Sequence, residues 1–194
     1  MITKSSDQRS GLFFYSTIMQ YVSIENNKSP YLSFIEELYH AAFPMEERRN
    51  WEQLLKMIGT VPEMFMQVIL EEEKAIGFVT SWKFEDWCFI EHLAIDPVNR
   101  GKKFGERVMK DFMVNRKLLL EVEPPASVDA IRRIGFYERL GLVCLPFDYL
   151  HPSYHDSHVS HSLVLMTNVP EREELYFHEI IRRVKKQVYL YHPF

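Results

Sequence analysis

The sequence predicts a mixed α+β fold: a central, mostly antiparallel twisted sheet of about six to seven strands with helices flanking it. Three observations predict it. Extended apolar runs at 65–70, 75–84 and 87–95 follow one another across short polar connections, as in an antiparallel meander. The apolar period then lengthens, with Phe104, Val108 and Phe112 recurring four apart, and a short dense run, LLLEV at 118–122, comes next. Strand, amphipathic helix and buried parallel strand together make one β-helix-β crossover. A chain of 194 residues, 46% hydrophobic and 26% charged, suits one domain with a substantial core.

Each element has a local cause. The first ten residues are polar, and 1–18 is expected to be frayed or to lie upstream of the natural start, with Met19 an alternative beginning. Residues 12–24 read as an extended first strand. Tyr31, Ile35, Leu38 and Ala42 recur at helical spacing until Pro44 stops the pattern. Asn50 is placed to cap a second helix whose apolar side is Trp51, Leu54, Leu55 and Ile58, ended by Gly59. The crossover helix carries Met109 and Met113 beside its stripe and is expected to reach about Arg116.

Pro124 and Pro125 close the strand at 118–122, and Ser127 begins a helix ended by Gly141. Runs at 142–145 and 161–167 read as a closing strand pair around a long His- and Tyr-rich loop. Phe177, Ile181, Val184 and Val188 form a last helix with Arg182, Arg183, Lys185 and Lys186 outside. The expected organisation is one domain over 19–170, with 171–194 as a helix packed on it.

Bulk properties exclude several function classes. A formal charge of −4, mixed in sign, announces no nucleic-acid surface, although a local basic patch can lie within an acidic total. Cys88 and Cys144 lie in apolar runs and form no disulfide framework, which suits a reducing, cytoplasmic setting. No apolar run reaches the roughly 18 residues that a membrane span requires. The stretch 11–22 is interrupted by Ser16, Thr17 and Gln20 and lacks a small-residue cleavage site, so it does not read as a signal peptide.

Residues 91–112, EHLAIDPVNRGKKFGERVMKDF, carry most of the chemistry. A strand ends at Asp96-Pro97, a loop holds Arg100, Gly101 and Gly105, and a helix follows. Such a turn lets main-chain N–H groups face outward beside the positive end of a helix, a setting for a pyrophosphate. Lys102 and Lys103 add to the field. An ordinary tight turn into a helix is the plain alternative. The spacing is neither GxxxxGK[ST] nor GxGxxG with a later acidic residue, and a meander precedes the loop instead of a parallel start.

The same stretch resembles the signature of the GNAT superfamily of N-acetyltransferases, a strand ending in Asp-Pro followed by Arg-Gly-x-Gly-x-Gly and a helix. Here it reads Asp96-Pro97, then Arg100-Gly101-Lys102-Lys103-Phe104-Gly105. Lys103 replaces the middle glycine, so φ is expected to stay negative there. A second segment, AIRRIGFYERLGL at 130–142, resembles the family's fourth helix, with Tyr137, Glu138, Gly141 and Leu142 in the Tyr-Glu-x-x-Gly-Phe positions. Ala130 stands where the family often has Asn. The resemblance spans about 65–168, and the two early helices fit the family's N-terminal pair.

The resemblance implies acetyl-CoA as co-substrate, no metal, and transfer of acetyl to a primary amine of a small molecule or protein. The fourth strand, at Leu93, Ala94 and Ile95, would pair with the pantetheine arm. Amides of Arg100, Gly101, Lys102, Lys103, Phe104 and Gly105, with Glu106 at the helix start, would hold the pyrophosphate. Tyr137 matches the acid that protonates the departing sulfur, a phenol being a proton donor at neutral pH.

Glu91 is the candidate base, with His92 the weaker option and Glu121 and Glu123 in reserve. Strand alternation puts Glu91 and Leu93 on one face and His92 on the other. His151, His155, His158 and His161, with Tyr149 and Tyr154, read as a lip over the acceptor and not as metal ligands, since Pro152 breaks any helix. Trp82, Phe84 and Trp87 are candidates for the opposite wall, or for packing. A non-catalytic acyl-CoA sensor is the alternative function. Neither nucleic acid nor membrane is expected as a partner, and the exposed aromatics and last helix suit a homodimer.

Overall fold

The structure is a computed structural model and describes residues 19–156 and 158–190. The expectations for 1–18, including the start of the first strand, lie outside those residues. The elements are β1 (Gln20–Ser23), α1 (Leu32–Ala42), α2 (Trp51–Met57), β2 (Met64–Glu71), β3 (Lys74–Phe84), β4 (Trp87–Ile95), α3 (Phe104–Met113), β5 (Lys117–Val122), α4 (Val128–Arg139), β6 (Val143–Cys144), β7 (Tyr149–Pro152), β8 (Ser160–Thr167) and α5 (Glu174–Arg183). A π-helical segment, Val184–Tyr189, continues from α5.

The caps form as read. Asn50 accepts a hydrogen bond from the Gln53 amide at 3.3 Å, and Ser127 accepts one from the Ala130 amide at 3.1 Å. Gly141, at φ +91°, turns the chain out of α4. The crossover helix stops at Met113, short of Arg116, where Asn115 adopts a left-handed conformation at φ 56°.

One open sheet runs β1-β2-β3-β4-β5-β8-β6, and β7 also pairs with β8. Among the described residues only β4 and β5 pair in parallel. The sheet thus has eight strands, against the six to seven expected. The addition is β7, within the stretch read as loop. Its pattern runs the wrong way for sequence to reveal: Tyr149 and His151 are buried, whereas the apolar Leu150 is 54% exposed.

Apolar side chains fill both faces. Ile35, Leu54, Phe78, Trp82 and Phe177 lie in the cluster beneath α1, α2 and α5. Val108, Met109, Leu118, Leu120 and Met166 lie in the cluster beneath α3 and α4. Trp82 and Phe84 stack at 6.3 Å inside the first cluster, and Trp87 packs on Tyr176 and Phe177. All three pack in or against that cluster.

Two irregularities position the site. Strands β4 and β5 pair only from Trp87↔Lys117 to Ile90↔Leu120. Beyond that point β4 stays on β3 to Ile95, while β5 stays on β8 to Val122. The strands part there, and among the described residues the edge of β4 facing β5 has no partner strand over residues 91–95. The second irregularity is in the β3–β4 register, which passes from Thr80↔His92 to Ser81↔Ile90 and leaves Glu91 as an extra residue, a β-bulge.

The bulge corrects the expected alternation. Glu91 bonds Trp82, and His92 packs on Tyr39 and Phe43, so both point toward the α1–α2 face. Leu93 packs on the opposite cluster.

Candidate functional site

The loop after β4 is shaped by short local bonds. The Asp96 carboxylate accepts from the Val98 amide at 3.0 Å, and Pro97–Asn99 forms one 3-10 turn. Lys102 Nζ reaches Asn99 Oδ1 at 3.0 Å. Gly101 sits at φ +80°, with no atom within 4 Å of where a Cβ would stand, so its backbone is open to an approaching group. Among the described residues no side chain caps α3. The first-turn amides at Phe104, Gly105 and Glu106 therefore have no side-chain acceptor, which is the helix-terminus condition for binding an anion.

Lys103 corrects an expectation: it has φ 61° and ψ 18°, the left-handed conformation that the replaced glycine would adopt freely. The turn keeps the glycine geometry although a side chain is present. The Phe104 side chain is buried, and the Glu106 carboxylate pairs along the helix with Lys110 at 2.6 Å. A salt bridge within α3 thus holds the acidic group at the helix start.

A cavity of about 480 Å³ occupies the gap between β4 and β5. It brings together Glu91, Leu93, Ala94, Ile95, Arg100 and Tyr137. Gly101 through Glu106 are not among its lining residues. On the α3–α4 face, Tyr137 packs beside Phe136. Its hydroxyl has no hydrogen-bond partner among the described residues. Burial pushes the phenol above its ordinary value, only partly opposed by Arg133, so it stays protonated at neutral pH. From the opposite side come Phe43 and Glu47 after α1, with His151, Tyr154, His161 and Tyr189.

Glu91 is enclosed in a buried polar network. Its side chain and that of Arg49 are each 1% exposed, joined at 3.0 Å from Nε to Oε1. Tyr154 donates to the same oxygen at 2.8 Å, and Trp82 Nε1 donates to Oε2 at 2.6 Å. The Arg49 guanidinium lies 4.6 Å from the Tyr154 ring centroid and also donates to the Val188 carbonyl. Burial alone would raise the Glu91 carboxyl, but Arg49, His92, Trp82 and Tyr154 together hold it below the usual carboxylate range. A base needs a free lone pair and some appetite for a proton. Here both oxygens are taken.

His92 Nε2 lies 2.9 Å from the Glu47 carbonyl, and its Nδ1 has no partner among the described residues. Burial lowers its basicity further than the Glu91 charge raises it. Glu47 is raised, by burial and then by the charge of Glu123. A second polar group gathers on Glu121: Tyr149 donates to Oε1 at 2.5 Å, while His151 Nδ1 and the Tyr189 hydroxyl each lie 2.8 Å from Oε2.

Of these, sequence reasoning missed Arg49 and Tyr189 and did not separate His151 from its neighbours. A buried arginine carries no local mark, and Arg48 beside it has the same context. Of the other loop histidines, His155 Nε2 meets the Met45 carbonyl at 2.9 Å, and His158 is exposed. Among the described residues no group of three or more His, Cys, Asp or Glu side chains is arranged to hold a metal, and no helix is long and apolar enough to cross a membrane.

No curated protein matches the chain in sequence. Solved structures do. A Bacteroides thetaiotaomicron protein assigned to the GNAT family is 29% identical with a TM-score of 0.82, the match covering 88% of this chain and 98% of that one. Arabidopsis thaliana NAA60, solved with acetyl-CoA, is 15% identical with a TM-score of 0.56 over 77% and 97% of the two chains. The Escherichia coli ribosomal-protein-S18-alanine N-acetyltransferase is 18% identical with a TM-score of 0.54 over 77% and 92%. These last two share the fold. Residues 32–142, more than half the chain, match the family described as Acetyltransferase (GNAT) family, and on that match, with the parted strands and glycine turn that it covers, the chain belongs to the GNAT acetyltransferases.

Proposed function

We propose that the protein is an acetyl-CoA-dependent N-acetyltransferase that acetylates a primary amine of a small molecule or protein by direct attack in a ternary complex. The observation that carries this reading is the unpaired edge of β4 at residues 91–95, which shares a cavity with the Tyr137 phenol. Main-chain groups of Leu93, Ala94 and Ile95 suit an extended amide-bearing arm, as an added strand would be held. Arg100 to Gly105 and the start of α3, including Glu106, suit the diphosphate at its far end.

Bound acetyl-CoA would supply the activated acyl group. The residues of this chain orient it, keep water away and manage protons. Tyr137, held protonated by burial, gives its proton to the departing sulfur. Glu91, expected as the base, is better suited to anchoring Arg49, because three donors occupy it and its basicity is lowered. The carboxylates of Glu47 and Glu123 line the same cavity and give a protonated amine a favourable setting.

The test is free-thiol release from acetyl-CoA across a panel of amines, with calorimetry for binding. Tyr137→Phe is expected to cut amine-dependent release by about 10²-fold or more while acetyl-CoA affinity holds within about two-fold. Binding without release for any amine would favour the acyl-CoA sensor. No heat with coenzyme A or its thioesters would defeat both readings.

A further inference from the structure

Resting on the acetyl-transfer reading above, we propose that His151 is the general base that deprotonates the acceptor amine, with Glu121 as its positioning residue. The Glu121 carboxylate can only accept, so its contact at 2.8 Å fixes the proton on His151 Nδ1 and leaves the lone pair on Nε2. Among the described residues that Nε2 has no hydrogen-bond partner, and it is not sealed from the cavity that His151 lines. The ring is held on three sides: Tyr189 at 4.2 Å and Tyr154 at 5.4 Å between centroids, with the Glu121 bond on the third. Tyr149 and Tyr189 donate to Glu121 in turn, so the carboxylate is itself fixed.

The placement suits two-sided chemistry. Tyr137 packs on the α3–α4 face of the sheet, whereas Tyr149, Tyr154 and Tyr189, which surround the His151–Glu121 pair, belong to the cluster on the other face. Both faces open into the gap between β4 and β5. Acid and base therefore approach the reacting centre from opposite sides.

The ammonium gives one proton to His151 Nε2, and the imidazolium is balanced by Glu121. The amine nitrogen then forms a bond to the thioester carbonyl carbon, the carbon–sulfur bond breaks, and the sulfur takes the Tyr137 proton. The new amide nitrogen sheds its second proton to water, Tyr137 recovers one from water, and His151 releases its own. One proton leaves per turnover.

Other charged or titratable groups face this ring from the neighbouring elements: Glu47 and His92 by their fields, His161 at 6.5 Å, and Glu91 with Arg49 behind Tyr154. Neither Glu91 nor Arg49 is bonded to His151, so the two carboxylates can be varied separately.

The experiment compares wild type, His151→Gln and Glu121→Gln with an aliphatic amine and with a weakly basic acceptor that is already neutral at assay pH. His151→Gln is expected to lower kcat/KM for the aliphatic amine by about 100-fold or more, flatten the acid limb of its pH profile, and spare most of the rate with the weakly basic acceptor. Glu121→Gln should fall between the two proteins. In wild type, carbethoxylation mapped by mass should modify His151 in step with lost activity, slowed by bound acetyl-CoA; this measurement stands even if a variant fails to fold. Wild-type turnover left within about two-fold by His151→Gln at every pH, or activity lost without His151 modification, overturns the base alone. A wild type that binds acetyl-CoA yet releases no thiol with any amine overturns the transfer reading and the base with it.

Discussion

The two parts of the candidate site are built on opposite plans. The turn from β4 into α3 is exposed, contiguous in sequence and made of main chain, with Gly101 and Lys103 setting its shape. The wall across the gap is buried, drawn from distant segments and made of side chains: Arg49, Glu91, Glu121, His151, Tyr154 and Tyr189. On the proposed reading the turn tolerates side-chain change, because main-chain amides, not side chains, would hold the diphosphate. The wall does not, because its polar groups, His151 Nε2 apart, are desolvated and held by one another.

That contrast can be broken first at Arg49. Arg49→Ala leaves the Glu91 carboxylate buried without its counter-charge, and a loss of about 3–5 kcal/mol in urea unfolding is expected. The pair Arg49→Met with Glu91→Gln should recover much of it. If acetyl-CoA affinity collapses in the folded double variant, the wall and the turn are not separate devices.

A smaller effect concerns acid. The folded Glu91 carboxyl lies below its unfolded value of 4.5, so its contribution is complete above that pH and is lost as pH falls through the folded value. Glu91→Gln should therefore flatten the fall in stability below about pH 4.5, measured by denaturant titration at several pH values. An unchanged slope would mean that the ion pair does not set acid sensitivity.

The smallest effect belongs to the turn. Lys103→Gly removes a left-handed penalty of about 1 kcal/mol, partly offset by glycine's extra freedom when unfolded. A gain of about 0.5 kcal/mol with unchanged or tighter acetyl-CoA binding is expected from thermal and calorimetric titration. A loss of affinity would make the Lys103 side chain, and not the backbone, the contact.

What could be read from sequence follows the same division. The meander, the crossover and the caps at Asn50 and Ser127 depend on neighbours a few residues apart, and they appear where expected. The glycine turn is likewise local. The bulge at Glu91 was hidden because every flanking residue suits a regular strand, and it put His92, in place of Leu93, on the face of Glu91. Strand β7 was hidden because its buried positions are Tyr149 and His151. Nothing nearby marks Arg49 or Tyr189 either, since their partners are 42 and 68 residues away.

The parted strands leave β4 in an unusual condition. It lies in the middle of the sheet, yet from Glu91 to Ile95 one side of its backbone faces a cavity instead of a neighbour. Amides on that side should exchange with deuterium as fast as those of an outer strand, while their neighbours at 87–90 stay protected. A bound pantetheine arm would slow them selectively, so exchange along this one strand would report occupancy without any turnover.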